Sequence, residues 1–446
     1  MKRFIETLKN IWRIEDLRQR ILTTLGLILV YRLGTHVVLP GIDPSQLGAL
    51  QQQTNDGIMG LLDMFSGGAF SNASILALGI MPYISASIVI QLLGIAIPYF
   101  QRLQKEGESG RKKINQITRW LTVAITAAQG PSYLFNLHNQ LPESAFILKG
   151  VFFTLSSVII MTAGTMFVMW LGEKITDKGL GNGISIIIMI GIIARLPVSM
   201  IQEAAAKLEG AGGLVMLLVE MILLFLVFVA SIALVQAVRR VPVQYARRIV
   251  GNKQYGGVRQ YIPLKVNAAG VMPIIFAQAL MFLPMMLGGL GKGETAGKFV
   301  TAFADYTGFW YNLTLALMII IFTYFYTAVT INPTQMAEDM KRNGGFIPGV
   351  KPGRKTVEFL DTIMSRITLP GSIFLALVAI LPTFAMLIGV QPNFAQFYGG
   401  TSLLILVGVV LDTLQQIESH LMMRHYDGLM KSGRIKGRAG GGASAI

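Results

Sequence analysis

Stretches of about twenty apolar residues recur along the whole of this chain, which is the length a helix needs to cross the hydrocarbon core of a bilayer. Lipid offers no hydrogen-bond partners to a peptide backbone, so such stretches are confined to helices that satisfy their own N–H and C=O groups. Ten stretches qualify: 21–40, 76–98, 116–136, 150–171, 183–201, 214–236, 268–288, 309–331, 369–389 and 399–419. Hydrophobic residues make up 53% of the 446 and charged residues only 14%, at a mean hydropathy of +0.57. That balance excludes a soluble protein with a large core. The expected class is an all-α, polytopic membrane protein with ten transmembrane helices. Residues 1–20 are charged and amphipathic, and they run into the first span without a cleavable signal.

Charge orients this bundle. Thirty-two of the 38 Lys and Arg residues fall in 1–20, in alternate loops and in the tail after span ten; five fall on the opposite side, with Arg32 inside span one. Cationic loops stay cytoplasmic, so both termini are expected inside. The net charge of +15 leaves a cytoplasmic surplus suited to an anionic partner: lipid headgroups, RNA or an acidic protein face.

A short segment ahead of span two breaks the pattern. Residues 57–70 are apolar but too short and too rich in Gly to cross, and Asp63 is their sole charge. A half-helix of this kind must rest inside protein. It either builds a pathway or binding site at mid-depth or serves as a re-entrant packing element.

Enzymatic chemistry finds no footing. There is no cysteine, which removes disulfides, thiolate metal sites and cysteine nucleophiles. His420 and His425 are spaced i, i+5 and diverge around a helix, so no metal site is expected. The run GLGNG at 179–183 follows no strand, and GETAGK at 293–298 lacks a residue and the magnesium-binding hydroxyl of a phosphate loop. No cofactor is implied. Among intramembrane charges, Arg32 reads as snorkelling to the interface, and Glu220 as an isolated carboxylate in span six that could couple an ion.

Two long basic loops read differently. Residues 237–267 contain no acid and alternate in a strand-like way, as a hairpin would; residues 332–368 have a turn-dense tip with Lys351 at its apex. Loops this long are usually functional or disordered, and neither is low-complexity.

Ordered motifs then carry a resemblance. They are VLPGID at 38–43, MFSGGA at 64–69, ALGIMPYISAS at 77–87, KEGESGR at 105–111, MWLGE at 169–173, GNGISI at 181–186, PLKVN at 263–267, FIPG at 346–349 and GTSLLI at 400–405. Over residues 22–426 the chain resembles the SecY family, the channel-forming subunits of the bacterial protein translocase. The resemblance implies two inverted, pseudo-symmetric halves, 21–201 and 202–419, followed by a tail at 420–446. It implies a plug at about 57–70 carrying Ile58, Met59, Leu61, Leu62, Met64 and Phe65. It implies a pore ring of Ile80, Ile84, Ile184, Ile188, Ile275 and Ile405. The pairs Ile80/Ile84 and Ile184/Ile188 are each i, i+4, so each pair shares one helix face. Such a ring would admit an extended polypeptide yet give ions nothing to replace their water.

The resemblance further implies a lateral gate between spans two and seven (Ser85, Gln91, Asn267, Leu283), with Ser85 close to Leu283. Docking residues would be Arg239, Arg240, Arg247, Arg248, Lys253, Lys351, Arg354 and Lys355. Implied partners are the small subunits SecE and SecG, the SecA motor, the ribosome with its rRNA, signal peptides, nascent chains and lipid, all at a bacterial inner membrane. Two positions depart from the family: Lys351 stands where Arg is usual, and Asn252 and Lys253 replace an Arg pair. The functional expectation is a protein-conducting channel that also releases membrane spans sideways; the alternative is a secondary solute transporter with inverted repeats.

Overall fold

The computed structural model describes residue 12 and residues 14–48, 58–148, 150–209, 213–245, 248–250, 253–255, 259–288 and 307–431. All ten expected spans contain a helix: α1 (Glu15–Gly34), α3 (Met81–Ala96), α5 (Glu108–Gln140), α6 (Val151–Lys178), α7 (Gly183–Glu209), α8 (Gly213–Gln236), α9 (Met272–Gly288), α10 (Phe309–Thr330), α12 (Arg354–Leu387) and α13 (Gly400–Lys431). Shorter helices are α2 (Ile58–Phe65), α4 (Pro98–Lys105) and α11 (Pro333–Arg342). Among the described residues six helices are long and apolar enough to cross a membrane, or seven if a bent pair counts as one span. The expected ten crossings are thus not all supported by length and composition, because α1 and α5 carry charged ends and α9 and α3 are short.

The second span differs most from expectation. Residues 66–80 are turns, not helix, and α3 begins only at Met81. Pro82 sits in the first helical turn, where its fixed φ and missing N–H are tolerated. Upstream, Gly67, Gly68 and Gly79 have positive φ, which interrupts any helix there. At the other end Ile97 is extended, as a residue preceding proline prefers. Pro98 then opens α4 at 102° to α3.

The described residues between 238 and 265 form the hairpin the alternation suggested. Strand β1 (Val238–Tyr245) pairs antiparallel with β4 (Arg259–Lys265), while β2 (Arg248–Val250) and β3 (Lys253–Tyr255) pair with each other. The second long loop joins the same sheet, since β5 (Gly345–Phe346) pairs with Gln244 and Tyr245 on the far edge of β1, giving the order β4-β1-β5. Val241, Val243 and Leu264 bury one face against Met340, Ile347, Leu360 and Met364. The two basic loops are one folded unit. Much of the region expected as loop at 332–368 is helix, because α12 runs unbroken from Arg354 out of the ninth span.

At the opposite end of the bundle, residues 37–48 are tied in by backbone bonds from Leu39 to Ala73 and from Asp43 to Ala145. Phe70, Tyr133, Phe146 and Phe153 fill the core beneath them.

Candidate channel gate and docking face

The apolar centre is a buried cluster drawn from both halves of the sequence. It holds Met64 and Phe65 of α2, Ile80, Ile186, Ile187 and Ile188, and Phe394, Tyr398 and Ile405, with Ile84 and Ile184 packed against it. Five of the six expected ring residues therefore share one cluster with Met64 and Phe65 of the expected plug. Ile275 lies in a neighbouring cluster, which Ile84 also joins. Ile80 is not on the helix proper: it caps α3, and its carbonyl accepts the Ile84 N–H at 3.1 Å, which preserves the i, i+4 relation. Of the remaining expected plug residues, Ile58, Met59, Leu61 and Leu62 lie on α2, their side chains outside the described set.

Polar contacts then seat residues 63–71. The Tyr31 hydroxyl donates to the Ser66 carbonyl at 3.0 Å, and Tyr133 donates to the Phe70 carbonyl at 2.8 Å. Arg32 donates from Nη1 to the Gly67 carbonyl at 2.7 Å. It does not snorkel outward as expected, because the Gly67 carbonyl in the turn after α2 gives the guanidinium an inward partner. Asp63 is fully buried and forms an ion pair with Arg195 of α7.

Glu220 is not isolated either. Lys207 Nζ lies 2.9 Å from Glu220 Oε1 and 3.6 Å from Glu203 Oε1, and donates to the Gly389 carbonyl at 2.7 Å. Glu203 in turn accepts the Gln391 N–H at 2.9 Å. The partners come from α7 and from the turn after α12, so sequence distance hid them. The cluster ties three segments together through one lysine.

At the expected lateral seam, α3 meets α9 and α10 through Ile88, Ala269, Phe276 and Tyr326. The Phe276 and Tyr326 rings are 5.3 Å apart. Gln91 Oε1 accepts a hydrogen bond of 2.9 Å from Tyr326. Asn267 Oδ1 is buried without a hydrogen-bond partner among the described residues. Ser85 is half-buried on α3. Leu283 lies on α9, but its side chain is outside the described residues, so the expected approach to Ser85 lies outside them too.

On the sheet unit, Arg239, Arg240, Lys351, Arg354 and Lys355 are exposed on neighbouring segments. Arg248 and Lys253 fall on β2 and β3 with undescribed side chains, and Arg247 lies outside the described residues. Gly349 and Gly353 bracket Lys351 at φ of 83° and 105°, and the Thr356 hydroxyl donates to the Lys351 carbonyl at 3.0 Å. This fixes the tip against the start of α12.

Sequence reasoning missed Arg195 and Asp63 as partners; an acid and a base each alone in an apolar segment were the available signal. No group of His, Cys, Asp and Glu suited to a metal ion occurs among the described residues.

A multi-pass helical bundle with a short, non-spanning helix packed into its apolar centre has the architecture of a membrane channel. The SecY family model matches residues 74–414. The chain is 45% identical over 434 residues to the protein translocase subunit SecY of Streptomyces scabiei, covering 94% of this chain and 98% of that protein. It is 40% identical over 456 residues to that of Mycobacterium bovis, at 96% and 99% coverage. Among solved structures, a protein-conducting channel matches at a TM-score of 0.58 and 17% identity, over 94% of this chain and 95% of that one. The channel of a canine ribosome-channel complex matches at a TM-score of 0.54 and 17% identity, with the same coverage. The chain belongs to the SecY family. It is a protein-translocation channel, with no enzymatic activity implied by that family.

Proposed function

We propose that the chain passes unfolded secretory polypeptides through the isoleucine-lined centre and releases signal sequences and membrane spans between α3 and α9. The observation that carries this reading is the seat of the short helix: Met64 and Phe65 share one buried cluster with Ile80, Ile188 and Ile405. Branched apolar side chains around a constriction give ions no hydration partners, so a plugged ring of this kind seals the membrane without blocking an extended chain. Residues 21–201 and 202–419 act as the two halves. A solute transporter would need polar ligands at this constriction; the transporter reading is not favoured.

The remaining assignments rest on chemistry and on relatives. The exposed cations of the sheet unit face the cytoplasm of a bacterial cell and receive the ribosome, a role supported by the likeness to a ribosome-bound channel, or the SecA motor. SecE and SecG accompany the chain, as its family membership supports. Depleting the protein in its own host should make secretory precursors accumulate with uncleaved signals; normal secretion would overturn the reading. Sidedness is tested separately. A Lys351→Cys variant has no native thiol as background, and labelling by an impermeant reagent from outside intact cells would invert the proposed topology.

A further inference from the structure

We propose that Asp63 and Arg195 form an ionic latch that holds the plug shut, so that these two residues position the plug and set how often the resting channel opens. The inference rests on the plugged-channel reading above. An apolar plug needs no charge to sit in an apolar cluster, yet this one carries a carboxylate on the face turned toward α7. Asp63 is fully buried and paired with Arg195. Its Oδ1 also accepts the Ser71 N–H at 2.7 Å, and Arg195 Nη2 donates to the Ser71 hydroxyl at 3.1 Å. One guanidinium thus holds both ends of the turn that follows α2. Two glycines make the approach possible. A Cβ on Gly67 would stand 3.0 Å from the Gly191 Cα, and one on Gly191 would stand 3.2 Å from the Gly67 Cα, so any larger side chain would push the plug off α7 and pull the ions apart.

The two partners differ in their access to water, and that difference makes the contact a latch instead of a permanent staple. The Asp63 side chain is shut away, whereas that of Arg195 is 26% exposed. Arg195 lines a cavity of about 250 Å³ together with Arg32, His36, Asn72, Gln202 and Asn393. A buried carboxylate stripped of its cation is strongly unfavourable, so small excursions of the plug are opposed. Once the plug moves far enough for Asp63 to reach the cavity, water solvates both ions and the opposition ends. Apolar burial gives the plug affinity for the ring; the ion pair gives it direction and a threshold.

The test measures ion leak through vesicles containing the purified full-length chain with its co-purifying subunits. Asp63→Asn and Arg195→Gln should each raise the resting leak about tenfold or more, since a lone buried charge or a lost pair weakens the closed state. The exchanged pair, Asp63→Arg with Arg195→Asp, should bring the leak back toward the parent value, which a merely structural defect would not do. Ile84→Ser with Ile188→Ser serves as the reference for an opened pore. If that reference leaks while both single variants stay tight, the latch is refuted and the channel reading stands. If the exchanged pair leaks as much as the singles, the residues matter for packing and not for pairing, which also refutes it. If the reference itself stays tight, the error lies in the assignment of the pore.

Discussion

The Tyr326 hydroxyl of α10 donates a 2.9 Å hydrogen bond to the Gln91 side-chain oxygen of α3, across 235 residues of sequence. This bond ties α3 to α10 beside the α3–α9 seam proposed above as the exit for membrane segments. Gln91 is otherwise exposed, so its loss exposes no orphaned buried group. Tyr326→Phe should weaken closure by roughly 0.5–1.5 kcal/mol, an effect of up to about tenfold on the open seam. Crosslinking to lipid of a signal segment with borderline hydrophobicity should rise accordingly. Unchanged yield would show that the apolar contacts of Ile88 and Phe276 alone hold the seam.

The ring makes a second prediction. In the Ile84→Ser, Ile188→Ser variant, hydroxyls let water wet the constriction, because a hydrophobic gate works by dewetting. Single-channel recordings should show frequent resting openings while polypeptide transport continues. A silent channel would place the constriction elsewhere in the cluster.

Lys207 predicts a stability effect with a definite sign. Lys207→Met leaves Glu203 and Glu220, both almost fully buried, without the cation between them. Breaking such a group by removing one partner costs about 3 kcal/mol, read as a lower unfolding temperature of the detergent-solubilised complex. Replacing Glu220 with Gln as well should recover part of the loss, because one carboxylate charge is then gone. No recovery would mean that Lys207 acts through its bond to the Gly389 carbonyl.

Docking should respond to Lys351→Glu in rate more than in folding, since the side chain is exposed and rim charges govern association. Association with purified ribosomes or motor should slow severalfold at low salt. The difference should shrink as ionic strength rises and the screening length falls to about 8 Å. Equal binding at every salt concentration would reduce this tip to a connector.

Much of this protein was legible along the chain because its largest constraint is local. A backbone in lipid must satisfy itself within each segment, so apolar length marked where helices lie, although only six or seven of the ten expected spans qualify by length and composition among the described residues. Strand-like alternation within 237–267 marked the hairpin for the same reason: both signals are carried by neighbouring residues. The resemblance to the SecY family pointed to α2 and to six isoleucines, five of which share a buried cluster with Met64 and Phe65.

What sequence alone could not decide is pairing at long range. The contact of β5 with β1 merges two loops about a hundred residues apart into one sheet. The partners of Arg32, Asp63 and Glu220 come from other segments, Gly67 from the turn after α2 and Arg195 and Lys207 from α7. Each of these charges looked solitary in its own apolar stretch, and only the packing of the helices supplied its counter-ion or carbonyl. A charge in a dry interior is stable only when paired. The sequence by itself determined where such charges interrupt the apolar segments, while the tertiary structure decided that each is paired and which residues those partners are.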